Sequence, residues 1–377
     1  MTALIESLTL GRGSKRAVVK DTIDIAGYPT QAGSVALSEA LPALCHAEMV
    51  ERTLAAGYRI VGKANLHELA FGMTGLNAWT GTPENPHFPE LIPGGSSSGS
   101  AAAVAAGLAE VGIGTDTGGS IRLPAACCGL YGLKPTFGRL DRRGVMPTIS
   151  SLDCVGPITA DLEELIAFMA AVDHDFTSTH QRETPKLAWL QADADDYIQA
   201  AVEESLSTTS LPTTKAQLSL LDEAYGAAMV VINRETYNAC AKWLDSGRLG
   251  ADVERRLKKA GKTTDAELRE AEAVRRAFSA EVDRLLKFHD ILVLPTLPHA
   301  PLTRAAAEAG QQDLTISSLL RPFNLSGHPA LTMPLEPNVG RPVAMQLVGQ
   351  KGDDAGLCEA ARVLAAANKT NLCRTKH

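Results

Sequence analysis

The sequence contains no run of about 18 apolar residues, the length a membrane-crossing helix needs, so no transmembrane segment is expected. Residues 1–20 lack a long apolar stretch, which argues against a secretory leader. There is no excess of positive charge. Lys and Arg number 36 against 43 Asp and Glu, a formal net charge of −7, which argues against a nucleic-acid binder relying on a broad basic surface. There is no CxxC pair among the seven cysteines, Cys45, Cys127, Cys128, Cys154, Cys240, Cys358 and Cys373. An odd count without framework spacing reads as reduced, buried thiols of a cytoplasmic protein. None of the nine histidines falls in an HExxH pattern, so no metal site is indicated.

What is present is an ordinary globular composition, 45% apolar and 21% charged over 377 residues. Short apolar segments predict strands at 17–19, 59–62, 110–114, 186–190, 290–295 and 343–349. Amphipathic spacing predicts helices at 46–57, with Gly57 as its cap, and at 161–173, 195–206, 251–286 and 353–367. An Ala-rich helix is expected at 101–108, and a polar linker at 174–185. There is no internal repeat, and the mixture gives an α/β class.

Two Gly/Ser-rich segments stand out. The first, Gly94 to Ser100, follows a long Gly/Pro/Asn-rich stretch from about residue 72, and ordered loops of that length tend to be functional. A flexible linker fits poorly between apolar flanks, and no Gly-Lys-Ser/Thr follows to make a phosphate-binding loop. Gly95-x-Ser97-x-Gly99 matches the G-x-S-x-G nucleophile elbow, but that motif needs a strand directly before it. Pro86, Pro89 and Pro93 make such a strand unfavourable.

The second segment, Thr115-Asp116-Thr117-Gly118-Gly119-Ser120, allows a tight turn with inward N–H groups beside a serine. That is the arrangement of a nucleophile next to an oxyanion hole, although an isolated TDTGGS is also an ordinary turn. A serine nucleophile needs a base. No histidine lies in a triad motif. A buried lysine, whose pKa falls on burial, is the alternative, and Lys20 directly follows an apolar Ala-Val-Val.

Taken together, three runs are identified as the signature of the amidase signature family. They are Gly94-Gly95-Ser96-Ser97-Ser98-Gly99-Ser100, Gly114 through Ala125, and Cys128-Gly129-Leu130-Tyr131-Gly132-Leu133-Lys134-Pro135-Thr136. The resemblance extends to Val19-Lys20-Asp21, to Gly62-Lys63-Ala64-Asn65-Leu66-His67-Glu68 and to Ser151 through Pro157. Near the C-terminus it includes Leu294-Pro295-Thr296, Phe323 through Ala330, and Pro342 through Gly349. It is weakest over about 175–285.

The resemblance implies a large mixed β-sheet flanked by helices on both faces. It implies one amidase domain over 1–377, with a signature core at about 15–160, a variable helical region at about 175–285 and a C-terminal part at 286–370. It also implies a Ser–cis-Ser–Lys triad. Ser120 would be the nucleophile, Ser96, after a cis peptide bond, the bridging serine, and Lys20 the base. Backbone N–H groups of Thr117, Gly118, Gly119 and Ser120 would form the oxyanion hole, with Asp116, Arg122 and Ser97 in support. Lys63, nearer the serine loops in sequence, lies in a motif that does not carry the base.

The implied activity is hydrolysis of an amide or ureido C–N bond through an acyl-enzyme, with no cofactor or metal. The alternatives are a transamidase-type subunit of an amidotransferase complex and an esterase using the same site. A non-enzymatic binding module would predict a missing triad member. Trp79, His87, Tyr225, Tyr237 and Trp243 are candidate substrate-lining residues. Family members usually carry several tens of residues before the lysine motif, and here nineteen precede Lys20. A second copy of the chain or a small partner subunit is therefore expected over that flank.

Overall fold

The computed structural model describes residues 2–177, 184–336 and 340–375. Its first half builds β1 (Leu4–Leu10), β2 (Arg16–Lys20), α1 (Glu48–Ala55), β3 (Arg59–Ala64), α2 (Ser98–Ala105), β4 (Val111–Asp116), α3 (Arg122–Cys127), β5 (Tyr131–Lys134), β6 (Cys154–Thr159) and α4 (Leu162–Val172). There follow β7 (Leu187–Leu190), α5 (Asp196–Ser207), β8 (Thr213–Ala216), α6 (Leu221–Cys240), α7 (Ala251–Ala260) and α8 (Asp265–Leu285). The chain closes with β9 (Ile291–Pro295), α9 (Arg304–Glu308), α10 (Arg321–Ser326), β10 (Ala330–Pro334), β11 (Ala344–Val348) and α11 (Asp354–Thr375).

All eleven strands join one sheet in the order β1-β3-β2-β4-β6-β5-β10-β11-β9-β7-β8. It is mixed. β2 runs parallel to both β3 and β4, β7 is parallel to β8 and β9, and the remaining pairs are antiparallel. Side chains alternate between the faces, as strand geometry requires. Along β9, Ile291 and Val293 join the core beneath α1, α4, α5 and α11, whereas Leu292 and Leu294 join the core beneath α6, α7, α8 and α10. Along β2, Ala17 and Val19 take the first face. Val18 packs with Ala102 and Ala103 of α2 on the other. Lys20 has the parity of Val18 and so falls on the α2 side.

The Ala-rich helix is buried on every side, and every residue from Ser98 to Val104 is inaccessible. Small residues on both elements allow this approach. A Cβ on Gly112 of β4 would come within 2.6 Å of the Ser100 carbonyl oxygen.

The polar linker expected at 174–185 falls mostly outside the described residues. The amphipathic stretch 251–286 is two helices rather than one. α7 ends at Ala260, and Thr264 opens α8 with a reciprocal capping box to Glu267. The cap expected at Gly57 falls on Ala56, with Gly57 following at φ +81°. β1 and β8 are strands without a sequence signal, because both are outermost in the sheet and mostly solvent-facing. Cys45 is exposed, contrary to the expectation of buried thiols, whereas Cys127, Cys128, Cys154, Cys240 and Cys358 are buried. Among the described residues, no helix is long and apolar enough to cross a membrane.

Candidate active site

The neighbouring parallel strands β2 and β4 end at Lys20 and Asp116, and the site is built at these carboxyl ends. Lys20 is fully buried. Its Nζ lies 2.8 Å from Ser96 Oγ and 2.8 Å from Thr115 Oγ1, and no carboxylate pairs with it among the described residues. Burial pushes this amine from its usual 10.5 down to about 7, against the opposing pull of the Asp153 and Asp116 charges.

The loop before α2 presents Ser96 through a cis peptide bond between Gly95 and Ser96. No strand precedes it, so Gly95-x-Ser97-x-Gly99 is not a nucleophile elbow. Ser97 Oγ instead ties the start of α2 to β4. It donates to the Thr115 carbonyl at 3.2 Å and accepts from the Thr115 N–H at 3.3 Å. The Ser97 N–H donates to the Ser120 carbonyl at 3.2 Å, which draws the two serine loops together.

The second loop is shaped by Asp116. Its carboxylate accepts from the backbone N–H groups of Gly119 at 2.7 Å, Ile121 at 3.2 Å and Arg122 at 3.4 Å. It also accepts from Arg122 Nε and Nη2, both at 2.9 Å, and from Asn324 Nδ2 at 2.8 Å. Burial alone would raise this carboxyl. The Arg122 charge and the hydrogen bonds from Arg122 and Asn324 hold it well below the usual carboxylate range. Arg122, itself fully buried, is completed by the Leu320 carbonyl at 3.0 Å, Gln346 Oε1 at 2.6 Å and Asn324 Oδ1 at 2.6 Å.

The loop thus held places Ser120 just before α3, 5% exposed. Its hydroxyl takes no hydrogen bond among the described residues, so the link from Ser96 to Ser120 is not closed in this structure. Gly119, at φ +109°, is expected among the oxyanion donors, but its N–H is taken by Asp116. The N–H groups of Thr117, Gly118 and Ser120 carry no such bond among the described residues. Thr117 Oγ1 donates to Asp153 Oδ1 at 2.8 Å, which braces the turn from β6.

Lys63 is elsewhere. Its Nζ lies 2.6 Å from Asp21 Oδ1 and donates to the Pro29 carbonyl. The rest of its motif is structural. Asn65 binds the carbonyls of Thr2 and Gly81, and Glu68 holds Ser34 Oγ and the Gly250 N–H. Of the aromatic candidates, Tyr225 lies beside the Ser120 loop, its ring 5.9 Å from the Arg321 guanidinium. The others do not gather there. His87 Nδ1 pairs with the Cys128 carbonyl, Tyr237 packs on Gly261, Trp243 lies beneath Lys242, and Trp79 is 40% exposed. Thr115, Asp153, Asn324, Gln346 and Arg321 were not singled out from the sequence. Thr115, Asp153, Asn324 and Gln346 all sit inside recognised motifs, but only the folded structure shows that they face Lys20, the turn and Arg122.

The family assignment rests on two independent observations, one of sequence and one of structure. The sequence model of the Amidase family matches residues 17–221 and 215–358. The chain belongs to the Amidase family. It is 35% identical to the A subunit of the glutamyl-tRNA(Gln) amidotransferase of Symbiobacterium thermophilum, with 94% of this chain and 83% of that protein aligned. A solved crystal structure of an amidase superposes with a TM-score of 0.86 at 30% identity, covering 94% of this chain and 84% of the other. A structure described as an inhibitor-bound vestigial protein complex revealing the origins of an s-triazine catabolic enzyme gives the same TM-score at 28% identity, covering 94% and 84%. The fold is that of these enzymes, a large mixed sheet with helices on both faces, and the chain is an amide C–N bond hydrolase of this family.

Proposed function

We propose that the protein hydrolyses a small carboxylic amide or ureido compound through an acyl-enzyme on Ser120. The observation that carries this reading is the buried Lys20, without an ion pair among the described residues, hydrogen bonded to Ser96 at 2.8 Å and depressed by burial to about 7. A lysine near neutrality supplies the unprotonated amine that a serine nucleophile requires.

In the first half-reaction Ser120 Oγ attacks the amide carbonyl carbon. Its proton passes to Ser96 Oγ as the Ser96 proton passes to Lys20 Nζ. The N–H groups of Thr117, Gly118 and Ser120 receive the developing oxyanion, while Gly119 keeps the turn in shape through Asp116. The proton returns along the same path to the departing nitrogen, which leaves as ammonia or an amine. Water then attacks the ester of Ser120 by the same relay, releasing the carboxylic acid and restoring the serine. Asp116, Arg122 and Ser97 position the loops and do not touch substrate.

The test is ammonia release across aliphatic, aromatic and ureido amides by the wild type and by Ser120→Ala. Turnover that vanishes in the variant supports the reading, and equal turnover in both overturns the choice of nucleophile.

The relatives that carry the name of an amidotransferase component favour a second reading, in which ammonia passes to a partner's substrate. β1 is the outermost strand on the N-terminal flank, where a small partner subunit or a second copy of the chain would pack. Efficient release of free ammonia by the isolated chain, and a monomer in sedimentation at micromolar concentration, would both count against this reading.

A further inference from the structure

Arg321 opens α10 and is 3% exposed, yet no acidic side chain pairs with it among the described residues. Arg256 also lacks an ion pair among the described residues, but it stacks on the Phe71 ring 4.5 Å away, and three further arginines are matched. Arg122 pairs with Asp116, Arg139 with Asp173 and Asp354, and Arg142 with Asp153. The contacts of Arg321 are all neutral. Nε donates to Ser317 Oγ at 2.6 Å, Nη1 abuts Met229 Sδ, a weak acceptor, and the Tyr225 ring lies 5.9 Å from the guanidinium. Nη2 has no partner among the described residues. Burial lowers its pKa to about 10, so the group stays charged at neutral pH.

Its position is specific. A Cβ on Gly118 would lie 3.3 Å from Arg321 Cγ and 3.6 Å from Nε, so the side chain runs against the turn that carries Ser120. Leu320, the residue before it, covers Gly119 and gives its carbonyl to Arg122. The Ser120 turn and α6 therefore flank an uncompensated buried cation. An isolated buried charge is strongly unfavourable unless an anion comes to meet it, and a guanidinium fork matches a carboxylate.

Resting on the acyl-enzyme reading above, we propose that Arg321 binds a carboxylate of the substrate, so that the substrate class is a short amide or ureido compound carrying an acid group. The carboxylate takes Nη2 and displaces the weak Met229 contact at Nη1. Tyr225 supports the far side of the guanidinium, its hydroxyl already committed to the Leu314 carbonyl at 2.9 Å.

The experiment compares succinamate with butyramide, which differ by the carboxylate, in the wild type, Arg321→Gln and Arg321→Lys. The wild type is expected to favour succinamate. In Arg321→Gln the ratio of kcat/KM for succinamate to that for butyramide should fall about 100-fold, mainly through KM, and Arg321→Lys should recover part of it. Succinate binding to the Ser120→Ala protein is measured by calorimetry as a readout independent of hydrolysis. Binding that is lost on adding Arg321→Gln supports the proposal even if no amide in the panel is turned over. Should Arg321→Gln fail to fold, Arg321→Lys and competition of succinate against wild-type turnover decide instead. The proposal is overturned if the wild type shows no preference for the acid amide and Ser120→Ala binds no succinate, or if the variants lose both substrates in equal proportion.

Discussion

Lys63 and Asp21 form a buried ion pair, Nζ to Oδ1 at 2.6 Å, beside the unpaired Lys20. The adjoining ends of β2 and β3 therefore hold two buried lysines in different electrostatic states. Asp21 is the carboxylate nearest to Lys20 in sequence, and Lys63 occupies it. The carboxylates whose charge does reach Lys20, Asp153 and Asp116, are paired with Arg142 and Arg122, and burial outweighs their pull.

The pH profile follows from this arrangement. Because the neutral amine accepts the proton, kcat/KM should rise with pH through about 7 and level off above it. Lys20→Met should lower kcat/KM by about 10²–10⁴-fold and remove that limb. A pH–rate series on both proteins checks it.

Stability shows the same shift with its own sign. Lys20 has a folded pKa near 7 against 10.5 unfolded, so between these values the unfolded chain binds more protons. The contribution of Lys20 to stability should therefore improve as pH rises from about 7 to 10.5 and be flat below 7. Denaturant unfolding of the wild type and Lys20→Met should give a stability difference that moves in favour of the wild type across that window. A difference independent of pH would contradict the buried, neutral amine.

Asp116 is the fastener of the Ser120 turn. Asp116→Asn removes the charge facing Arg122 inside the protein, a change that typically costs about 3–5 kcal/mol. Activity should fall in parallel, because an amide nitrogen in place of Oδ2 can no longer accept from the Ile121 and Arg122 N–H groups that follow Ser120. Arg122→Lys should behave similarly, since an ammonium cannot replace a fork that reaches Asp116, Asn324 and Gln346. Thermal melting together with activity at a temperature well below the transition checks both.

Ser97 and Ser120 are separated by one comparison. Ser120→Ala should abolish turnover, by about 10⁴-fold or more. Ser97→Ala should slow it about tenfold, because only the two hydrogen bonds to Thr115 are lost, each worth about 1 kcal/mol. The reverse order would restore the nucleophile-elbow reading.

Cys45 should be labelled by iodoacetamide well before Cys127, Cys128, Cys154, Cys240 and Cys358 in the native protein, as peptide mapping would show. Burial raises the pKa of the other five and keeps reagent away. Labelling of Cys45 should leave activity intact, which a cysteine nucleophile would not allow.

Much of the site was legible because its residues lie in short motifs whose chemistry is local. A buried apolar strand running into Lys20 and a Gly-Gly-Ser turn each carry their own signal. What was not legible depends on distant pairing. Nothing around Asn324 or Gln346 says that they reach Arg122, some 200 residues away. Gly119 reads as an oxyanion donor until the Asp116 carboxylate is seen to claim it. Arg321 reads as a helix-start residue beside a proline, and only its place against the Ser120 turn, with no acid paired to it among the described residues, makes it unusual. In the fold, β1 and β8 escaped notice because an outer strand facing solvent needs no apolar alternation, and the interior strands β5, β6 and β10 because Gly or Pro interrupts or ends each short apolar run.

Lys20, Ser96 and Ser120 all lie within the first third of the chain, yet the turn that aims Ser120 is fastened by Asn324 and Gln346, among its last residues. A chain emerging from the ribosome would therefore carry its reactive groups long before it could use them. A chain cut short ahead of α10 would keep Lys20, Ser96 and Ser120 but lose the Asn324 and Gln346 contacts that hold Asp116 and Arg122, and is expected to be inactive.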